Sequence, residues 1–317
     1  HGAENCTTTP TTRVVINVME RGAKGDGQTD DTAAIQLAVN QVEGTGGTVL
    51  IPDGTYMIDA LTSISIKSDL TFRMSNGAVL KAIPNSAAAY SIIKIENTSN
   101  ASLIGGTLLG DRDEHLGSGG EWGMGVFINS ASNISITGMT AQNAWGDGFY
   151  VRGASKNITF CSVVANNNRR QGMSIISVNG LVIRDSVFQN TNGTAPQAGL
   201  DVEPNENDTV SNVQIRNSQF LNNRGSGIQI FVAPDTTRLV KNISISGNTV
   251  TGNLGGGISI KNSNDNTLDN NTIRRNKRFG IFLAEGSKNN TATSNSLERK
   301  NELIDKGENA VFGNRYP

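Results

Sequence analysis

Histidine is almost absent from this chain: among 317 residues the only two are His1 and His115. A His-rich zinc centre and a histidine-based nucleophilic triad both ask for more, so neither is a candidate. Cysteine is equally scarce, at Cys6 and Cys161. Spacing alone leaves two readings open, a disulfide or a free, mostly buried thiol at each site. Aromatic residues make up 5% and proline contributes 7 residues, so a conventional core built on large rings is not expected. Charge is sparse and balanced, with 17% charged residues and a formal net charge of -1. No basic excess marks a nucleic-acid partner, and no run of one sign marks a tail. No apolar run reaches the ~20 residues of a membrane-spanning helix, so no membrane insertion is expected. The chain does not begin with methionine and shows no signal peptide; His1-Gly2 reads as a processed or added start.

What is plentiful is glycine, at 36 residues, together with Asn, Ser and Thr. That mixture fits many short strands joined by tight turns. A pattern of Gly, apolar, any, apolar recurs as GVFI from Gly125, GFYV from Gly148, GMSI from Gly172, GLDV from Gly199, GIQI from Gly227, GISI from Gly257 and GIFL from Gly280. By subtraction the intervals are 23, 24, 27, 28, 30 and 23 residues. Between these lies a second pattern, Asn followed by alternating apolar residues, as in NISI from Asn133, NITF from Asn157, NVQI from Asn212 and NISI from Asn242. Further turns carry Asn143, Asn167, Asn190, Asn222 and Asn271. One such repeat cannot bury its apolar face alone, but stacked repeats can, at ~4.8 Å between neighbouring strands. The expected fold is all-β, a parallel β-helix in which equivalent asparagines stack and hydrogen-bond. On that reading most of the sequons at Asn97, Asn133, Asn157 and Asn242 are ladder positions rather than glycan sites. Residues 29–43 predict an amphipathic helix capping the first coil, with Thr29 or Asp30 as N-cap and Ile35, Val39 and Val42 as its apolar stripe. GGTVLIPDGTY then reads as the first strand and turn. Residues 1–13 read as a flexible lead-in, 14–317 as a single β-helix domain, and 297–317 as a C-terminal cap that departs from the repeat.

NVMERGAKGDGQTDDTAAIQLAVN followed by GGTVLIPDGTY resembles the entry segment of pectate-lyase-like β-helix proteins. That group includes polygalacturonase-like hydrolases, mannuronan C5-epimerase modules and polysaccharide depolymerases of phages and bacteria. The resemblance implies a single-stranded right-handed parallel β-helix over roughly residues 14–300, and a secreted, cell-surface or periplasmic protein acting on a polysaccharide. The stretches LLGDRDEHLGSGGEWGMGV, WGDGFYV and RQGMSI resemble the epimerase modules in order. Those modules carry Asp-Pro-His-Glu after a Gly-x-Gly-Phe, whereas here Phe149 is followed by Tyr150-Val151-Arg152-Gly153. The Asn-Thr-Asp and Asp-Asp motifs of polygalacturonases are also missing.

Strand alternation sends one set of residues outward. Successive coils contribute Asp147, Tyr150 and Arg152, then Gln171 and Ser174 with Arg170 nearby, then Asp201 and Glu203, then Gln229 with Phe231, then Lys261. Arg152 is expected two coils from Glu203, ~10 Å between backbones. The loop before this face offers His115 and Glu121, and Trp122, Trp145 and Tyr150 could stack on sugar rings. Each has a plainer reading: Asp201 and Glu203 as solvated or ion-paired strand residues, Asp147 as a turn former, the tryptophans as packing.

Three functions are compatible with this face. A glycoside hydrolase needs an acid and a base or nucleophile, at ~5 Å for retention or ~6.5–9.5 Å for inversion, and Asp201, Glu203 and Asp147 could supply them without a cofactor. A uronate lyase or C5-epimerase would neutralise the substrate carboxylate with Ca²⁺ held by Asp201 and Glu203, or with Arg152 and Arg170, and use Tyr150 or Arg152 for proton transfer. A non-catalytic module would bind an oligosaccharide or polysaccharide along the groove without cutting it. The first is favoured. The oligomeric state is not legible.

Overall fold

The computed structural model describes Cys6, residues 14–235 and residues 237–317. The lead-in expected over residues 1–13 lies outside the described residues apart from Cys6. The rest is a right-handed parallel β-solenoid of about ten turns. Among the described residues its strands form three parallel sheets of 12, 11 and 10 strands, each strand pairing with the equivalent strand one coil away.

The repeats account for this stacking. In the largest sheet, the inward residues Ile134, Ile158, Leu181, Val213 and Ile243 sit opposite one another in successive coils, as do Ile136, Phe160, Ile183, Ile215 and Ile245. All are buried. Full burial of such a side chain stabilises by about 1.5–3 kcal/mol, so the core is a set of aliphatic columns that needs few rings.

The Gly-led repeat forms the ten-stranded sheet. Its glycines stand at the inner corner where the chain enters that sheet. A Cβ on Gly172 would lie 2.4 Å from the carbonyl oxygen of Gly199, and one on Gly257 would lie 2.2 Å from that of Gly280. Close approach of neighbouring coils, rather than an unusual φ, is what demands glycine there.

The asparagines divide into two kinds. Asn133, Asn157, Asn212 and Asn242 have φ between 53° and 58° and form exposed ladders: Asn157 donates to Asn133 at 3.1 Å and Asn212 donates to Asn179 at 2.8 Å. Asn223, Asn253 and Asn276 form an inner ladder at a corner. Asn253 Oδ1 accepts from the backbone and side chain of Asn223, while its Nδ2 donates to the Phe220 carbonyl and to Asn276. Asparagine serves the outer ladder because it tolerates left-handed backbone, and the inner one because its amide carries both a donor and an acceptor.

The capping helix runs Thr32–Val42, with Ile35, Val39 and Val42 buried. Its N-cap falls one or two residues later than expected because Asp26–Asp30 pairs as a strand with Gly54–Ile58. Asp31 is the N-cap, yet its carboxylate accepts from the backbone of Lys24 and Gly25. At the other end, residues 297–317 extend the repeat rather than leave it: Leu303–Asp305 and Glu308–Phe312 each add a strand. Of the two cysteine readings, the disulfide is found, with Cys6 and Cys161 joined and their Cα atoms 5.6 Å apart.

Candidate functional site

The ten-stranded sheet turns one continuous row of side chains outward. Lys94, Phe127, Tyr150, Ser174, Asp201, Gln229 and Ser259 are register partners in successive strands. Beside it, the hydrogen bonds from Ile176 to Val151 and from Glu203 to Ile175 bring Arg152, Ile176 and Glu203 into a second row. From Lys94 to Asp201 the first row, with the second beside it, floors a groove of about 780 Å³. The groove is walled by Glu121 and Trp122 on one side, by Ala195-Pro196 on another, and by Asn205 and Arg238 beyond the carboxylates.

Asp147 and Arg170 lock its centre. Asp147 is fully buried. It accepts from Arg170 Nε at 2.8 Å, from Arg170 Nη2, and from Ser174 Oγ at 2.7 Å. Burial pushes the Asp147 carboxyl above its ordinary value, and the Arg170 and Ser174 donors pull against that. Burial alone would weaken the Arg170 guanidinium, but Asp147 outweighs it and holds the group firmly charged. Arg170 Nη1 also lies 3.7 Å from Glu121.

One coil further on, Asp201 is 2% exposed. Its Oδ2 accepts from Gln171 Nε2 at 3.1 Å, while Oδ1 has no hydrogen-bond partner among the described residues. Burial, then the Glu203 carboxyl within hydrogen-bonding reach, drive the Asp201 pKa well above the usual carboxylate range. The Glu203 carboxyl thus lies close enough on the groove floor to act on the Asp201 carboxyl.

The groove floor also has an apolar shelf. Met124, Tyr150 and Ile176 form a cluster separate from the core, with Phe127 packed on it. Phe127 and Tyr150 stack at 5.6 Å, and the Arg152 guanidinium lies 5.9 Å from the Phe127 ring. Burial and the nearby Asp147 raise the Tyr150 phenol above its ordinary value, so it stays protonated.

Several sequence-derived candidates lie elsewhere. Trp145 is 9% exposed, stacks on His115 at 3.9 Å and carries the Arg169 guanidinium 3.6 Å from its centroid. His115 is itself buried and held by Asp111 at 2.8 Å, and Asp111 also accepts from Tyr90. Both residues pack under the loop and leave no face for a sugar, unlike Trp122, which is 47% exposed at the groove. Phe231 and Lys261 contact one another, at 5.1 Å, and with Gln229 continue the face beyond the groove without lining it. Gln171, expected to bind substrate, has both ends of its amide occupied inside the protein. Sequence reading missed Lys94, Phe127 and Arg238. Lys94 lies in Ala89–Glu96, a strand with Ile92 where later coils have glycine, and it escaped the repeat for that reason. Phe127 lies inside GVFI and was readable by the same alternation that found Tyr150.

Residues 15–233 match the family described as rhamnogalacturonase A/epimerase, pectate lyase-like, and residues 197–314 match the right-handed β-helix region. An uncharacterised protein of Bacillus subtilis, YclG, is 30% identical over 255 residues, covering 68% of this chain and 43% of that protein. An exo-poly-α-D-galacturonosidase of Dickeya chrysanthemi is 40% identical over 106 residues, 32% of this chain and 17% of that protein. The chain thus spans less than half the length of these curated relatives. Among solved structures, the A-module of the mannuronan C-5 epimerase AlgE4 of Azotobacter vinelandii superposes with a TM-score of 0.72 at 20% identity, over 95% of this chain and 97% of that one. That likeness concerns the fold.

Proposed function

The chain belongs to the rhamnogalacturonase A/epimerase, pectate-lyase-like family of carbohydrate-active β-helix proteins, and on that premise we propose that it hydrolyses glycosidic bonds in an acidic polysaccharide outside the cell. The observation that carries this reading is Asp201, a buried carboxyl on the groove floor beside Glu203, whose pKa burial and that neighbour raise well above the usual carboxylate range. A protonated carboxyl is what a glycosidic oxygen needs as its bond to the anomeric carbon breaks.

Asp201 is the proton source, and Glu203, half-buried at the groove, is the group through which that proton reaches the substrate. Inversion requires a base on the opposite face of the sugar. Glu121, on the groove wall and near Arg170, takes that role and activates the water. Arg152, Lys94 and Arg238 supply positive charge along the groove for an acidic chain. Phe127 and Trp122 offer apolar faces to its rings.

Two observations weigh against a lyase or epimerase. That chemistry needs a base for the C5 proton, and Tyr150, held protonated, is a poor one. Ca²⁺ takes six to eight oxygen ligands. Asp201 and Glu203 offer two carboxyls, one of whose oxygens is committed to Gln171. Among the described residues the one cluster of three His, Cys, Asp or Glu ligands is Cys6, Cys161 and Asp185, whose cysteines are linked to each other. The donor set fits a proton donor better than a calcium cage.

The test is incubation with acidic and neutral polysaccharides, with and without a calcium chelator, following reducing ends and the ultraviolet absorbance of unsaturated uronates together. New reducing ends without absorbance, unaffected by the chelator and lost in Asp201→Asn, are expected. Absorbance rising with the reducing ends would establish a lyase, and binding without either signal a non-catalytic module.

A further inference from the structure

On the reading of Asp201 as proton source, we propose that Gln171 is a positioning residue that decides which oxygen of Asp201 carries the proton. Gln171 is 1% exposed and lies one coil before Asp201. Its Oε1 accepts from the backbone N–H of Ala198 at 2.8 Å. That bond sets the amide's orientation. Flipped, it would turn an NH₂ group toward the Ala198 N–H, donor against donor, at a buried position.

With Oε1 fixed, Nε2 must donate, and it donates to Asp201 Oδ2 at 3.1 Å. An oxygen receiving that bond is an acceptor and carries no proton. The proton of Asp201 therefore sits on Oδ1, the oxygen that receives no bond from any N–H or O–H among the described residues. Glu203 is the group within reach that can accept it.

The same arrangement assists the reaction. Asp201 Oδ1 is itself covered, so its proton passes to Glu203, and Glu203 hands it to the glycosidic oxygen as the bond from that oxygen to the anomeric carbon breaks and its electron pair moves onto the oxygen. Water attacks the anomeric carbon and passes its proton to Glu121. Asp201 is left as a carboxylate, and the Gln171 donor already points at Oδ2 to stabilise the new charge without rearrangement.

Gln171→Met keeps the volume and removes the donor. The resonance of the Asp201 carboxyl in protein labelled with [13Cγ]Asp, assigned by its loss in Asp201→Asn, should titrate about one pH unit higher in this variant, since a donor to the carboxylate has been lost. The basic limb of kcat/KM should move up in parallel, with kcat falling about tenfold and KM little changed. In the unmodified protein, the Gln171 side-chain amide nitrogen should shift with the same midpoint as the Asp201 carboxyl, a measurement that needs no variant to fold. An amide that ignores the Asp201 titration, or an Asp201 midpoint unmoved in a folded Gln171→Met protein, overturns the proposal. Because neither resonance depends on turnover, coupled titration in a protein that cleaves nothing would sink the hydrolase reading and leave the positioning role standing.

Discussion

Two buried carboxylates in one groove behave differently because of what each faces. Asp201 faces Glu203, and its pKa is raised in the folded protein. A carboxyl of this kind contributes stability that is fully present below its unfolded pKa of about 3.9 and is lost as pH rises through the folded value. Thermal unfolding of the native protein should therefore show a midpoint that declines as pH rises from about 4 to the folded value. In Asp201→Asn the decline should be shallower, with a higher midpoint at pH 8 and no turnover. Asp147 faces Arg170, so its replacement acts the other way. Asp147→Asn leaves a guanidinium buried without its partner and should cost about 3–5 kcal/mol in urea unfolding, most of it recovered in Asp147→Asn/Arg170→Met. The alternation that turned Asp201 and Glu203 to one face was legible in AGLDVEP. That their carboxyls meet, and that Asp147 is spent on Arg170, was not, because side-chain direction between coils is set by packing.

Among the elements, the corners explain more than the strands do. Asn253 is fully buried and satisfies groups on both neighbouring coils. Asn253→Ala should leave several buried donors and acceptors unpaired and destabilise by roughly 2–4 kcal/mol, at a penalty of about 1–3 kcal/mol for each such group after partial relaxation. An equal unfolding midpoint would show the ladder to be decorative. The loop holding Glu121 is another such element. Tyr90 donates to Asp111 and accepts from the backbone N–H of Trp145, and Asp111 holds His115. Tyr90→Phe should loosen that wall, raising KM more than it lowers kcat. Trp145 and His115 looked like groove residues because they flank the repeat in sequence. The loop folds back over them, and a repeat pattern carries no information about where an insertion between repeats will lie.

For the molecule as a whole, the solenoid axis sets the direction of a bound polymer. From Lys94 to Asp201 the outward row makes four register steps, ~19 Å at ~4.8 Å per step, room for about four sugar rings. Shorter oligosaccharides should show a steep fall in kcat/KM, and longer ones little further gain. KM for an acidic chain should rise with salt while kcat holds, because Lys94, Arg152 and Arg238 act through screened charge. The Cys6–Cys161 bond closes a separation of 155 residues, and its reduction should cost about 2–5 kcal/mol; thiol titration in denaturant without reductant should find no free thiol. What the amino-acid sequence determined by itself is the solenoid, since glycine, asparagine and aliphatic residues recur at one spacing and each coil can bury its apolar side only against the next. What the tertiary structure alone decided is the chemistry: the disulfide, the Gln171–Asp201 hydrogen bond and the Asp147–Arg170 lock all join residues that only stacking brings within reach.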